Sequence, residues 1–245
     1  MSQSAASPRP TVAGLQRKLR ALADPARAAQ SQRYFRTGPG EYGEGDQFLG
    51  IRVPAVRLLV REFRLLPWDE ATALLHSPWH EDRLTALLLW VQAHRRAEPE
   101  VQSAIHHAYL ENTRWVNNWD LVDSSAEFLV GPHLPRGGGP LLTRLARSES
   151  LWERRIAMIS TFHGIRRGDY AATLRMARLL RDDPHDLIHK AVGWLLREMG
   201  KRDEAVERAY LDEEAARMPR TMLRYAVERF PEPLRRHYLG LRAER

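Results

Sequence analysis

The sequence repeats one pattern in four segments: EDRLTALLLWVQAHRR (81–96), WDLVDSSAEFLVG (119–131), LWERRIAMISTFHGI (151–165) and DLIHKAVGWLLREMG (186–200). In each segment apolar residues recur every three to four positions, which places them on one face of an α-helix. The repeated elements start at residues 83, 120, 155 and 190, which lie 35 to 37 residues apart. A period of roughly 35–45 residues with two helices per repeat predicts an α-solenoid of HEAT or armadillo type.

The rest of the chain has the same character. Helical patterns joined by short loops predict about a dozen helices, and almost no alternation typical of β-strands is present. We therefore expect an all-α, HEAT-like-repeat protein forming a single domain over residues 1–245, with about residues 1–10 as a disordered tail.

A solenoid lines its concave surface with the second helix of each repeat, so residues that recur there face one partner. Arg83, Arg155 and Lys190 recur at these positions and predict a concave basic face suited to duplex DNA or RNA. The alternative is that these cations lie on solvated helix faces or pair with nearby acidic residues.

Composition narrows the class of protein. Among 245 residues, 38 Lys and Arg against 31 Asp and Glu give a net charge of +7, which favours an anionic partner.

The absence of cysteine excludes disulfide scaffolds, cysteine-ligated metal sites and thiol catalysis. No apolar run approaches the roughly 20 residues of a membrane helix, and MSQSAASPRP at the start lacks the apolar core of a secretory signal. We expect a cytoplasmic protein that does not bind membranes.

Trp119 and Asp123 are the strongest candidates for catalytic residues in the sequence. Their spacing of four residues puts both side chains on one helix face. An indole attracts a cation, and a carboxylate can stabilise positive charge or orient a water molecule. The alternative is structural: Trp119 as a core residue, and Asp123 as a cap or an ion-pair partner.

The sequence does not assign a role to Gly193 or to the glycine-rich segment 38–47. Gly193, directly before Trp194, is unfavourable inside a helix and indicates close approach of another helix or of a ligand. The glycine-rich acidic segment 38–47 is not a phosphate-binding loop, because no Gly-Lys-Ser/Thr follows and its acids would repel phosphate. The ten histidines show no zinc-binding spacing, so we expect neither metal nor cofactor.

The segments NNWDLVDSSAEFLVG (117–131), LWERRIAM (151–158) and IHKAVGWLLREMGK (188–201) resemble the DNA alkylation repair family of HEAT-like-repeat DNA glycosylases. FLGIRVPAVR (48–57) and MPRTMLRYAVERF (218–230) are also similar to that family, so the resemblance spans about residues 33 to 230 in the family order.

The resemblance implies roles for individual residues. Asp123 matches the catalytic carboxylate, Trp119 the residue that contacts the deoxyribose of the lesion, and Trp194 a second aromatic wall. Arg155 matches a contact to the DNA backbone phosphate, and Lys190 and Arg197 would add to that grip. Tyr34, in the RYF run, matches an aromatic residue that lines the site.

The function implied is base excision repair of alkylated DNA. Such an enzyme hydrolyses the N-glycosidic bond of cationic N3- or N7-alkylated purines in duplex DNA, gripping the backbone without a deep base pocket. We expect a monomer with no protein partner. Two other hypotheses remain open: a non-catalytic HEAT-repeat scaffold that binds nucleic acid, and a scaffold that binds other proteins.

Overall fold

The computed structural model describes residues 9–241, and the regular structure within that range is helical. Its only pairing of the β type is an isolated bridge between Gln47 and Trp79, so the described range contains no β-strand. The helices are α1 (Val12–Ala21), α2 (Pro25–Tyr34), α3 (Val53–Glu62), α4 (Thr72–Leu75), α5 (His80–His94), α6 (Pro99–Glu111), α7 (Trp119–Leu129), α8 (Gly139–Ala146), α9 (Leu151–Ser160), α10 (Phe162–Ile165), α11 (Ala171–Leu179), α12 (Asp186–Gly200), α13 (Glu204–Glu214), α14 (Arg220–Ala226) and α15 (Glu232–Gly240). The predicted all-α class is confirmed.

Helix starts follow ordinary capping chemistry. The Asp24 side chain accepts the backbone N–H of Arg27 at 3.0 Å, and Pro25 follows it in the first turn of α2. Ser150 caps α9 and Asp203 caps α13 in the same way. These caps satisfy backbone N–H groups in the first turn and so fix where the helices begin.

The described chain packs as two compact units, one ending at Ser125 and the other starting at Ala126. The boundary falls inside α7. The expected disordered tail lies mostly outside the described residues, which begin at Arg9. Arg9 itself pairs with Glu70 at 2.6 Å.

In the first unit α5 forms the centre. Nearly all of its residues are buried, because α1, α3, α4 and α6 pack around it. Burial on all sides explains why the polar residues of its first turn, from His80 to Arg83, must find partners inside the protein.

In the second unit α9 packs on α12, and α12 packs on α14. This neighbour-to-neighbour stacking is the arrangement that the 35-residue period predicts. The contact of α12 with α14 is the most extensive between helices of the described range, and Gly193 lies in it. A Cβ at Gly193 would meet the carbonyl oxygen of Met222 and lie 2.6 Å from the Cβ of Tyr225. The close approach predicted at Gly193 is therefore that of another helix.

No helix between residues 9 and 241 is long and apolar enough to cross a membrane.

Candidate functional site

Trp119 and Asp123 occupy the first two turns of α7, as their spacing predicts. Asn118, fully buried, precedes the helix, and its side-chain oxygen accepts the backbone N–H of Trp119 at 2.9 Å. Trp119 and Asp123 are both half-buried. One side of each is therefore held by the protein, and the other faces solvent.

A stack of aromatic rings supports Trp119. Phe35 lies parallel to the Trp119 indole at a centroid distance of 5.2 Å and to Phe48 at 4.9 Å. Phe48 in turn stacks on the His80 ring at 4.4 Å. Tyr34 meets the indole edge-on at 6.0 Å and is 67% exposed. The structure thus brings the predicted site residues Tyr34 and Trp119 together, over a buried aromatic base.

His80, at the base of this stack, lies between two carboxylates. Its Nδ1 is 2.9 Å from Asp46 and its Nε2 is 2.8 Å from Asp120. Both ring nitrogens therefore lie within hydrogen-bond distance of a carboxylate oxygen. Because Asp120 follows Trp119 directly in α7, the histidine is connected to the indole twice: through the stack and through the helix backbone.

Asp46 anchors the same network from the glycine-rich segment. Besides His80, it accepts from the Arg83 guanidinium and, at 3.3 Å, from the side-chain amide of Asn118. It is only 5% exposed. The expectation that the acids of this segment repel phosphate does not apply to Asp46, because its carboxylate faces the interior.

The prediction that Arg83 contributes to a concave basic face is wrong. Its side chain is 3% exposed, pairs with Asp46 and donates to the carbonyl oxygen of Ser77 at 2.9 Å. Burial lowers its pKa to about 10, while the charge of Asp120 acts in the opposite direction. A buried guanidinium with an internal carboxylate partner is structural, which is the alternative that the sequence left open.

Glu81 holds the chain that follows the glycine-rich segment. Its carboxylate accepts the backbone N–H groups of Leu49 and Gly50, each at 2.8 Å, and of Ile51 at 3.1 Å. Adjacent residues of α5 therefore fix both Asp46 and the stretch that carries Phe48.

Asp123 lies near the buried phenol of Tyr109. Tyr109 is fully buried, and its hydroxyl lies 3.0 Å from the hydroxyl of Ser125. Burial raises the pKa of the Tyr109 phenol, and the negative charge of Asp123 adds to that shift. The carboxylate of Asp123 therefore lies close enough to Tyr109 for its charge to disfavour ionisation of the phenol.

Beside Tyr34 lies an open cavity of about 360 Å³. Its lining includes Arg27, Gln30, Ser31 and Arg52. Arg27 is paired with Asp24 at 2.7 Å, whereas Arg52 makes no ion pair with any residue between 9 and 241. The exposed face of Tyr34 is thus adjoined by two cationic side chains.

The remaining predicted residues belong to the second unit. Arg155 is 5% exposed and donates to the carbonyl oxygen of Leu187 at 2.6 Å, Lys190 pairs with Asp186 at 2.8 Å, and Arg197 pairs with Glu228. Trp194 is half-buried and meets Phe162 edge-on at 5.7 Å. The phosphate contacts expected of the three cations stay predictions.

The described residues contain no group of three or more His, Asp or Glu side chains that could hold a metal ion.

Sequence reasoning missed Asp46, His80, Phe35 and Asn118. The signal that could have identified them is the polar run His80-Glu81-Asp82-Arg83 at the start of a helix that continues with the apolar run LLLWV (87–91), because charged residues in a buried helix must be paired. The carboxylates that pair with His80 and Arg83 lie 34 to 40 residues away in the sequence, beyond the reach of any local pattern.

A family model described as DNA alkylation repair enzyme matches residues 15–230. Among solved structures, the chain is similar to a protein from Enterococcus faecalis described as a predicted DNA alkylation repair enzyme. The TM-score is 0.67 and the identity 19%, over 86% of this chain and 97% of that one. That similarity is one of fold. No curated protein matches this sequence.

Proposed function

This chain belongs to the DNA alkylation repair enzyme family, and from that premise we propose that it is a monofunctional DNA glycosylase acting on cationic N3- and N7-alkylated purines in duplex DNA. The observation that carries the proposal is the pairing of Trp119 and Asp123. An indole held by neighbouring rings and a half-buried carboxylate share one face of α7, with the exposed Tyr34 against the indole.

The chemistry suits a lesion that already carries positive charge. As the N-glycosidic bond breaks, the base takes the bonding electron pair and leaves neutral, and the positive charge passes to the deoxyribose. Asp123 stabilises that oxocarbenium-like sugar, as a carboxylate does in glycoside hydrolysis. Water then forms the new bond at C1′, and its proton passes to Asp123 and on to solvent. No acid is needed to protonate the leaving base.

The aromatic residues provide the remaining attraction. The face of Trp119 favours a cation in the base or sugar, by an amount on the order of 1 kcal/mol where the contact is partly desolvated. Tyr34 extends this apolar surface. Trp194, a residue of the second unit, is proposed as a further aromatic contact on the strength of the family resemblance.

Phosphate contacts in this proposal come from cationic side chains. Arg52 and Arg27 adjoin Tyr34, and Arg52 makes no ion pair within the described range. Arg155, Lys190 and Arg197 are proposed as contacts from the second unit, where each would exchange an internal acceptor for a phosphate oxygen. A grip on the backbone of this kind needs no deep pocket for the base.

The test is release of free base. Methylated duplex DNA is incubated with the wild-type protein, with Asp123→Asn and with the matched control Asp69→Asn, whose parent residue is exposed on the surface of the first unit. Free 7-methylguanine and 3-methyladenine are quantified by mass spectrometry. We expect release by the wild type and by Asp69→Asn, and a decrease on the order of a hundredfold for Asp123→Asn, because an electrostatic contact to the transition state is lost.

A wild-type protein that binds the duplex and releases neither base would overturn the proposal. In that case the non-catalytic nucleic-acid-binding scaffold would become the better account. Failure to bind DNA at all at physiological salt would favour a scaffold for other proteins.

A further inference from the structure

The glycine-rich segment 38–47 has no assigned role, yet its penultimate residue is Asp46, a buried carboxylate that joins three other residues. We propose that Asp46 and His80 are positioning residues: together they hold the Trp119 indole and the first turn of α7, and thereby Asp123, in the orientation that the reaction uses. This inference rests on the glycosylase function proposed above.

The first argument is the number of connections that meet at Asp46. It accepts from His80 and Arg83 of α5 and from Asn118, the residue that precedes α7. Asn118 uses its other side-chain atom to accept the backbone N–H of Trp119. One carboxylate therefore fixes the start of α7 relative to α5, through a single intervening side chain.

The second argument is the packing of the rings. His80, Phe48 and Phe35 contact one another, with centroid distances of 4.4 Å for His80–Phe48, 4.9 Å for Phe48–Phe35 and 5.1 Å for Phe35–His80. Phe35 in turn stacks on the Trp119 indole at 5.2 Å with an interplanar angle of 19°. His80 therefore supports Phe35, the ring on which the indole lies, both directly and through Phe48. The ring plane of His80 is in turn fixed by carboxylates at both nitrogens.

The third argument is that the ring contacts and the hydrogen bonds of His80 both lead to the first turn of α7. Asp120, which accepts from His80, is the residue next to Trp119, and Asp123 lies one turn further along the same helix. A change at His80 must therefore move the indole plane, the first turn of α7, or both. Because a displacement of about 1 Å in a catalytic group can cost a hundredfold in rate, the network matters to the chemistry without touching the substrate.

Burial separates these residues from the substrate. Asp46 is 5% exposed and His80 is 2% exposed, beneath the rings of Phe48 and Phe35. They are positioning residues, whereas Trp119 and Asp123 are the candidates for contact with DNA.

The segment itself is suited to this task. Turns at its glycines, with φ of +75° at Gly40 and +80° at Gly45, fold it back on itself. A Cβ at Gly43 would run into the carbonyl oxygens of Phe35 and Arg36, the latter at 3.1 Å. The tight fold packs Gly43 against the backbone of the same Phe35 that stacks on Trp119, and the Gly43 carbonyl oxygen accepts the backbone N–H of Asp46 at 3.1 Å.

The experiment compares His80→Gln with a matched control, His107→Gln. The parent His107 is exposed, and the contacts of its ring are with the Ser103 carbonyl and the His106 ring of its own helix. Single-lesion DNA gives kcat and KM separately. We expect kcat to fall about ten- to a hundredfold in His80→Gln, with KM within about twofold, because DNA contacts remain while the catalytic geometry is lost. His107→Gln should match the wild type.

A thermodynamic cycle distinguishes positioning from general damage. The loss in kcat caused by His80→Gln should largely disappear in a Trp119→Ala background if His80 acts through the indole, and in an Asp123→Asn background if it acts through the first turn of α7. Equal losses in the wild-type, Trp119→Ala and Asp123→Asn backgrounds would overturn the proposal. If His80→Gln fails to fold, Asp120→Asn tests the same network, because Asp120 bonds to His80 and is more accessible. We expect its effect on kcat to be non-additive with the same substitutions.

A spectroscopic readout makes the test independent of activity. In protein labelled with 5-fluorotryptophan, the Trp119 signal in the 19F spectrum is assigned by its loss in Trp119→Phe. In His80→Gln we expect this signal to shift or broaden while the others stay in place. An unchanged Trp119 signal overturns the positioning role even if the wild type excises no base, so the two proposals can fail separately.

Discussion

Gly193 is a single residue at which the packing of two helices can be measured. Alanine there places a methyl group against the Met222 carbonyl oxygen and 2.6 Å from the Cβ of Tyr225, so α12 and α14 must separate. We expect Gly193→Ala to destabilise the fold by about 1 to 3 kcal/mol, although alanine alone favours a helix by about 1 kcal/mol. Urea denaturation measures the change.

The matched control for that substitution is Gly240→Ala, because a Cβ at Gly240 meets nothing within 4 Å. Its stability should equal or slightly exceed that of the wild type. A Gly193→Ala protein as stable as Gly240→Ala would contradict the close packing of α12 on α14.

Glu207 gives a prediction that depends on pH. The residue is 2% exposed, one carboxylate oxygen is buried without a hydrogen-bond partner in the described range, and burial together with the charge of Glu204 raises its pKa to about 8. The folded state therefore holds a proton that the unfolded state releases near pH 4.5. Its contribution to stability is complete below that pH and is lost as the pH rises towards 8.

We expect Glu207→Gln, which cannot ionise, to become more stable than the wild type as the pH rises from 5 to 8, by on the order of 2 kcal/mol at pH 8. Thermal unfolding across this range measures the difference. The control Glu213→Gln changes an exposed carboxylate of the same helix and should follow the wild-type profile. A parallel profile for Glu207→Gln would show that Glu207 ionises normally in the folded protein.

At the scale of helices, periodicity was sufficient to predict the architecture. Apolar residues at helical spacing identified α5, α7, α9 and α12, and the 35-residue period predicted the stacking of α9 on α12. The i,i+4 spacing also placed Trp119 and Asp123 on one face. These predictions succeed because they depend on local geometry, which the sequence states directly.

The supporting network could not be predicted in the same way. Asp46 lies in a glycine-rich loop that has no periodicity, and its partners come from α5 and from the start of α7. The net charge of the sequence does not reveal which arginines lie on the surface. Arg83 adds to the positive net charge but is buried beside Asp46. Pairing between distant segments is fixed by tertiary packing, which a single sequence does not reveal.

The start of α3 supplies a prediction about DNA binding. Arg52 precedes this helix, adjoins Tyr34 and makes no ion pair within residues 9–241. If it neutralises one phosphate, Arg52→Ala should lower the slope of log affinity against log salt concentration by about 0.9. Fluorescence anisotropy with an unmodified duplex measures this.

The control for that measurement is Arg61→Ala, because Arg61 is exposed and lies two and a half turns further along α3, on the opposite side of the helix. Its slope should remain that of the wild type. Equal slopes for Arg52→Ala and the wild type would remove Arg52 from the DNA contact.

For the molecule as a whole, the surplus of seven positive charges and the membership of the DNA alkylation repair enzyme family point to the same partner. Electrostatic attraction explains binding to any duplex, but it does not explain selection of a lesion. Selection in this account comes from the cationic base itself, which both the Trp119 face and the Asp123 carboxylate favour over a neutral one.

The central claim is that Asp123 makes the chemical step possible, and single-turnover excision tests it most directly. Excess protein is mixed with a duplex that contains one 7-methylguanine, and release of the free base is followed over time for the wild type and for Asp123→Asn under conditions in which both bind the DNA fully. The account predicts a rate lower by on the order of a hundredfold in the variant, with binding unchanged. Equal rates for the two proteins would contradict it.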